Sequence, residues 1–208
     1  VIRQDDLIQS VADALQYISY YHPVDFIRAV KEAYEKEESK AAKDAMAQIL
    51  VNSRMAAMGR RPICQDTGIV TVFAKVGMNV TVEGDMSLDD MINEGVRRAY
   101  NHPENVLRAS VLADPDGKRA NTKDNTPAVI NYSIVPGDTL EIDVAAKGGG
   151  SEAKSKFAML NPSDSVVDWV LEQIPKMGAG WCPPGMLGIG IGGTAEKAML
   201  IAKESLMD

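Results

Sequence analysis

Residues 69–76, Ile-Val-Thr-Val-Phe-Ala-Lys-Val, carry apolar side chains at successive rather than alternate positions. Such a run reads as a buried strand, because side chains that point to opposite faces and are both apolar need cover on both sides. Directly before it stand Cys64-Gln65-Asp66-Thr67 and Gly68. A thiol, an amide, a carboxylate and a hydroxyl at the mouth of a buried strand are an uneconomical way to begin a core element, so the junction calls for a chemical explanation.

Helical periodicity surrounds this strand. Leu7, Ile8, Val11, Leu15 and Ile18 recur at helical spacing, as do Phe26, Ile27, Val30 and Tyr34, and then Ala45, Met46, Ile49, Leu50 and Met55. This predicts three amphipathic helices, with His22-Pro23 breaking the first from the second. Ser87-Leu88-Asp89-Asp90 has the start signature of a helix running to about Tyr100. Two alternating runs, 128–135 and 139–145, are joined by Pro136-Gly137-Asp138 and read as a hairpin. Ser163 is the expected cap of a helix carrying Val166, Val167, Val170, Leu171 and Ile174. Residues 186–191 are expected to form a strand, and residues 195–207 a last helix capped by Thr194. The expected fold is mixed α/β (α+β), with a small central sheet, flanking helices, a helical portion over residues 1–60 and a motif-bearing α/β portion over residues 61–208.

Composition excludes several classes. With 22 Lys and Arg against 29 Asp and Glu, the formal charge is -7, and a nucleic-acid partner would need a basic face to neutralise phosphates. No apolar run approaches the ~18 residues of a membrane span, and the N-terminus has no signal-peptide layout. The reading is cytoplasmic, with Cys64 and Cys182 reduced. The chain starts without Met and stops inside a helical pattern, so a domain of a longer protein is expected.

Three stretches carry the chemistry: Cys-Gln-Asp-Thr-Gly at 64–68, Lys-Gly-Gly-Gly-Ser at 147–151, and the Gly- and Pro-rich segment 178–194. All sit at predicted strand edges, where α/β folds collect ligand-binding groups. Cys64 and Cys182 each have a bland reading as buried small hydrophobes. The Pro183-Pro184 pair after Cys182 favours an iron-sulfur ligand loop, stiffened where proline removes a backbone donor. Zinc would want four ligands, and His22 and His102 are not in finger-like spacing. Cys-x-x-Cys is absent. Gly148, Gly149 and Gly150 can crowd backbone N–H groups round an anion, with Lys147, Lys154 and Lys156 nearby, although a solvated turn fits the composition equally. Gly188, Gly190, Gly192 and Gly193 lack the dinucleotide pattern and suit close packing of a strand on a helix. His22 and His102, each before a proline, read as helix punctuation.

Taken together and in this order, Cys64–Gly68, Lys147–Ser151 and the Gly-Ala-Gly-Trp-Cys-Pro-Pro-Gly run at 178–185 resemble the N-terminal half of class I, iron-sulfur-dependent fumarate hydratases and the related tartrate dehydratase alpha subunit. The resemblance covers the whole chain as a single N-terminal, alpha-subunit-like domain. It implies a 4Fe-4S cluster held by three cysteines, two of them Cys64 and Cys182, with the third in the C-terminal half of the enzyme. It implies that Gln65, Asp66, Arg108 and the glycines Gly148, Gly149 and Gly150 bind a small dicarboxylate, fumarate or malate. The arginine role suits the planar fork that guanidinium offers a carboxylate. No catalytic base is implied within this chain; it would come from the C-terminal domain, and the full-length enzyme is expected to be a homodimer. Two other readings stand beside this one: an L-tartrate dehydratase alpha-type domain, and a non-catalytic module that binds a small anion or partner with structural cysteines. Colour separates enzyme from module: anaerobically purified full-length protein is expected to be brown in the first case and colourless in the second.

Overall fold

The computed structural model describes residues 1–182 and 184–207. Elements in chain order are β1 (Ile2–Arg3), α1 (Gln4–Tyr20), α2 (Val24–Lys36), α3 (Lys40–Gly59), β2 (Ile69–Gly77), β3 (Val82–Glu83), α4 (Leu88–Tyr100), β4 (Leu112–Ala113), β5 (Ala120–Asn121), β6 (Val129–Val135), β7 (Leu140–Lys147), α5 (Gly149–Glu152), α6 (Val166–Lys176) and α7 (Ala195–Glu204). The chain divides into two units, Val1–Lys147 and Gly148–Asp208. It is mixed α/β with small sheets, flanking helices and a helical N-terminal region.

In the first unit β2 is the middle strand of a three-stranded sheet ordered β6-β2-β7. It runs parallel to β6, with Thr71 opposite Val129, and antiparallel to β7, with Ile69 opposite Lys147. The expected hairpin between β6 and β7 does not form, because β2 separates them. The connection instead bends round the far end of β2, where Gly77 N–H donates to Thr139 O at 2.9 Å and Asn79 N–H to Gly137 O at 2.8 Å. The physical reason lies in the strands: β2 is apolar on both faces and takes the central place, whereas β6 and β7 alternate and sit at its edges.

Val70, Val72 and Ala74 of β2 join Leu7, Ile8, Val11 and Leu15 of α1 and Met91, Ile92, Val96 and Tyr100 of α4 in one core. Gly95 lets α1 and α4 approach closely, since a Cβ there would lie 2.7 Å from Val11 Cβ and 2.8 Å from Ile8 O. A buried polar link closes the same interface. Gln16 Nε2 donates to Ala99 O at 2.6 Å and Asn105 O at 3.0 Å, and its Oε1 accepts from Asn105 Nδ2 at 2.9 Å. As predicted, Ser87 caps α4 through Asp90 N–H at 3.1 Å, and the chain breaks between α1 and α2 at Tyr21–Pro23.

The second unit corrects three expectations. The cap of α6 is Ser165, whose Oγ accepts from Asp168 N–H at 3.2 Å; Ser163 falls inside a turn closed by Asn161 and Asp164. Residues 186–191 form no strand; they lie against α7 without regular structure, so close that a Cβ on Gly188 or Gly190 would lie 2.0 Å from Ala202 O or 1.9 Å from Ala198 O. The predicted close packing is present, but between helix and irregular backbone. The last helix ends at Glu204, and Thr194, at its N-cap position, donates its hydroxyl to Glu196 at 2.6 Å instead of accepting from the backbone.

Gly95→Ala tests the α1–α4 crossing. Alanine gains up to ~1 kcal/mol in helix propensity but overpacks the contact at a cost of ~1–3 kcal/mol. The urea midpoint is therefore expected to fall, and a rise would mean that the helices are not in this close contact.

Candidate active site

The Cys64–Gly68 turn is assembled from below. Its entry is tied to the helices, with Ile63 N–H donating to Ser19 O at 2.8 Å and Asn52 Nδ2 donating to Ile63 O at 2.8 Å. Within the turn, Asp66 N–H donates to Cys64 Sγ at 3.4 Å and Gly68 N–H donates to Asp66 Oδ1 at 3.2 Å. Gly68 has φ +84, and a Cβ on it would lie 2.6 Å from the Ala146 carbonyl carbon and 2.8 Å from Lys147 N. Only glycine can enter β2 so close to the last residues of β7.

Two buried side chains hold the exit of the turn. Tyr100, at the end of α4 and 1% exposed, donates its hydroxyl to Thr67 O at 2.7 Å and approaches Gly68 O at 3.3 Å. Burial pushes its phenol up to about 12; the bond to Thr67 opposes the shift and the Asp66 charge adds to it, so Tyr100 stays a donor across the physiological range. Asn125, fully buried, donates Nδ2 to Gly68 O at 3.0 Å.

Arg108 reaches the same place from another segment. Thr67 Oγ1 donates to Arg108 O at 2.5 Å, while the Arg108 side chain is exposed. Lys147 ends β7 opposite Ile69. The first unit therefore gathers exposed Cys64, exposed Gln65, half-buried Asp66, Arg108 and Lys147 round the mouth of β2. A soft thiol, a carboxylate fixed by a backbone N–H and cations on adjoining segments can hold a metal group beside an anionic ligand.

The second unit gathers the remaining candidates. Gly148 precedes α5, the short helix holding Gly149 and Gly150, and the 3-10 turn Ala179–Trp181 packs against it; a Cβ on Gly150 would lie 2.9 Å from Gly180 O. Cys182 ends that turn in the left-handed conformation, φ 61, with its thiol free and exposed and its N–H donating to Ala179 O at 3.0 Å. Pro183, half of the pair expected to stiffen this loop, lies outside the described residues. Lys203 Nζ pairs with Glu152 at 2.8 Å and ties α7 to α5. Both cysteines are exposed, against the bland reading that they are buried hydrophobes.

No group of three His, Cys, Asp or Glu residues forms a metal site among the described residues. Each cysteine by itself has the chemistry of an iron-sulfur ligand: the Cys64 and Cys182 thiols are free and exposed, and Cys64 Sγ receives the kind of backbone N–H bond that tunes cluster sulfurs. His22 and His102 do what punctuation predicts. His22 stacks on Phe26, bonds Ser53 Oγ at 3.0 Å and has its pKa lowered by burial; His102 Nδ1 accepts from Glu104 N–H at 3.3 Å beyond the end of α4.

Sequence reasoning missed Tyr100 and Asn125 as site residues. Tyr100 registers only as the last apolar position of a helix. Asn125 stands in a polar Asp-Asn-Thr-Pro run, and the one signal available was the tolerance of asparagine for a left-handed backbone, which it adopts at φ 61.

Comparison with known proteins places the chain in a family. Residues 8–208 match the family described as fumarate hydratase (Fumerase). The chain is 37% identical over 204 residues to a protein named putative L(+)-tartrate dehydratase subunit alpha from Methanocaldococcus jannaschii, covering 95% of this chain and 70% of that one. It is 30% identical over 205 residues to the L(+)-tartrate dehydratase subunit alpha of Escherichia coli strain UTI89, covering 97% of this chain and 67% of the relative. The chain belongs to the fumarate hydratase (Fumerase) family, a family of hydro-lyases. No helix among the described residues is long and apolar enough to cross a membrane.

Tyr100→Phe removes the hydroxyl and leaves Thr67 O without this donor. The expected loss is ~1–2 kcal/mol of unfolding free energy, read from urea denaturation with an unchanged m-value. Unaltered stability would show that the phenol does not hold the turn.

Proposed function

We propose that this chain is the N-terminal, alpha-type part of a cytoplasmic iron-sulfur hydro-lyase that hydrates fumarate reversibly to L-malate, working with a C-terminal domain in a homodimeric enzyme. The observation that carries the reading is the meeting of the Cys64–Asp66 turn and Arg108 through the Thr67–Arg108 bond, in a chain that belongs to this family. L-Tartrate dehydration is the second reading, favoured by the names of the relatives.

Cys64 and Cys182 would hold a 4Fe-4S cluster with a third cysteine from outside this chain, and the cluster would supply Lewis acidity toward the substrate hydroxyl. Arg108 binds a substrate carboxylate through two parallel N–H bonds. The backbone N–H groups of Gly148, Gly149 and Gly150 and the charge of Lys147 serve a dianion in the same way. Gln65 and Asp66 orient the substrate; the Asp66 carboxylate is already directed by Gly68 N–H at 3.2 Å. The base that takes the C3 proton comes from the C-terminal domain.

Variants of the full-length enzyme separate the roles. Cys64→Ser is expected to bleach the visible absorbance and abolish turnover together. Arg108→Ala is expected to keep the absorbance and lose ~1.5–3 kcal/mol in kcat/KM, the range for a charge-assisted bond. A Cys64→Ser enzyme with its full iron content, or an Arg108→Ala enzyme with normal kinetics, would overturn the assignments. Parallel assays with fumarate, L-malate and L-tartrate decide between the two substrate readings.

The 208-residue chain alone offers two cysteines. After anaerobic reconstitution it is expected to retain no stable cluster and to form no malate. Near-stoichiometric cluster with turnover would contradict the need for a third ligand from elsewhere.

A further inference from the structure

Asn125 is fully buried and makes three hydrogen bonds to two different segments. Its Nδ2 donates to Gly68 O at 3.0 Å, at the exit of the Cys64–Gly68 turn. Its Oδ1 accepts from Ser110 N–H at 2.9 Å and Val111 N–H at 3.3 Å, two and three residues past Arg108. The amide orientation follows from its neighbours, since two N–H donors require the oxygen and one carbonyl requires the nitrogen. Its backbone is left-handed, φ 61, a conformation that few residue types other than glycine and asparagine accept readily.

The surroundings pin Asn125 from the α4 side. Asp124 pairs with Arg97 of α4 at 3.0 Å and accepts from Thr126 N–H at 3.0 Å and Thr126 Oγ1 at 2.7 Å. Burial raises the Asp124 carboxyl pKa, but the bonds from Thr126 and the Arg97 guanidinium outweigh it and hold the group below its usual value. Asn93 Oδ1 of α4 then accepts from Ala128 N–H at 2.8 Å, where β6 begins. Asn125 therefore lies between residues tied to α4 while it bonds two loops.

We propose that Asn125 is a positioning residue that couples the Cys64–Asp66 turn to the Arg108 segment, so that the thiol-bearing and carboxylate-binding parts of the site keep one spacing. A dicarboxylate gripped at one end by Arg108 and oriented at the other by Gln65 and Asp66 requires that spacing to be constant, and a displacement of about 1 Å lowers turnover sharply. The inference rests on the proposed assignment of Cys64, Asp66 and Arg108 to one site. Tyr100 bonds the turn, and Thr67, itself part of the turn, bonds the Arg108 carbonyl; Asn125 bonds both segments from a third one.

Two substitutions divide the coupling. Asn125→Asp keeps the acceptor for Ser110 and Val111 N–H but loses the donor to Gly68 O. Asn125→Gly keeps the left-handed backbone and removes both links. Hydrogen exchange on the full-length enzyme is the first readout. Asn125→Asp is expected to speed exchange about ten-fold at residues 66–69 and leave residues 110–111 unchanged, whereas Asn125→Gly speeds both. The second readout is function: Asn125→Asp is expected to lower kcat for fumarate about ten-fold with KM within about two-fold, and Asn125→Gly to raise KM as well. Visible absorbance should decay faster in air for both. A uniform rise in exchange across the chain, unchanged exchange at 66–69, or failure of both variants to fold would overturn the positioning role while leaving the site assignment standing. The stated exchange pattern with unaltered kinetics and absorbance would instead overturn the site assignment, and the positioning role with it.

Discussion

The pairing of β2 on both edges is the constraint on which the first unit depends. A nine-residue strand with Val70, Val72 and Ala74 buried against α1 and α4 leaves no unpaired backbone only if strands lie on both sides. β6 enters in parallel and β7 antiparallel. The β6–β7 connection must therefore pass the far end of β2, and the chain that enters β2 must pass the end of β7. The second requirement produces Gly68 and, with it, the tight turn that carries Cys64, Gln65 and Asp66.

That turn has little stability of its own. Inside it, Asp66 N–H bonds Cys64 Sγ and Gly68 N–H bonds Asp66, and Tyr100, Asn125, Asn52, Ser19 and the Arg108 carbonyl hold it from other segments. Cys64 and Gln65 are left exposed and Asp66 half-buried, while the backbone of Thr67 and Gly68 is fixed by the buried donors of Tyr100 and Asn125. A site that must present a thiol and a carboxylate to a ligand benefits from these buried donors, because they share with Cys64 Sγ and Asp66 Oδ1 the task of fixing the turn. In the second unit, the close approach of Gly150 to Gly180 O brings the glycine loop to the turn before Cys182, and the Lys203–Glu152 pair ties that loop to α7.

Much of this organisation was legible in the residues. The helices α1 to α4 and α6 announce themselves through 3.6-residue periodicity, and β2 through its continuous apolar run. Cys64, Gln65, Asp66 and the glycines stand out because they are poor core material at strand edges. Other features were hidden for identifiable reasons. Alternation in β6 and β7 shows that each has two unlike faces but not which strand lies beside it, so a short Pro-Gly-Asp connection looked like a hairpin turn. Ser163 and Ser165 are equally good caps on paper; the Asn161–Asp164 turn takes the first out of contention. Residues 186–191 look like a strand, yet a strand needs a partner, and the backbone of α7 occupies the flank left open by Gly188 and Gly190.

By itself the sequence determined most of the element types, the buried strand, the polar chemistry at its mouth and the family to which three ordered motifs point, because these depend on side-chain character and local spacing. Tertiary structure alone decided that β2 separates β6 from β7, that Arg108 meets the Cys64 turn through Thr67, and that Tyr100 and Asn125 hold that turn from beneath. These depend on pairings between residues 14 or more positions apart in the chain. Their donors and acceptors are backbone groups and common side chains, which acquire a particular partner only when the packed core brings them within 3 Å or so of it.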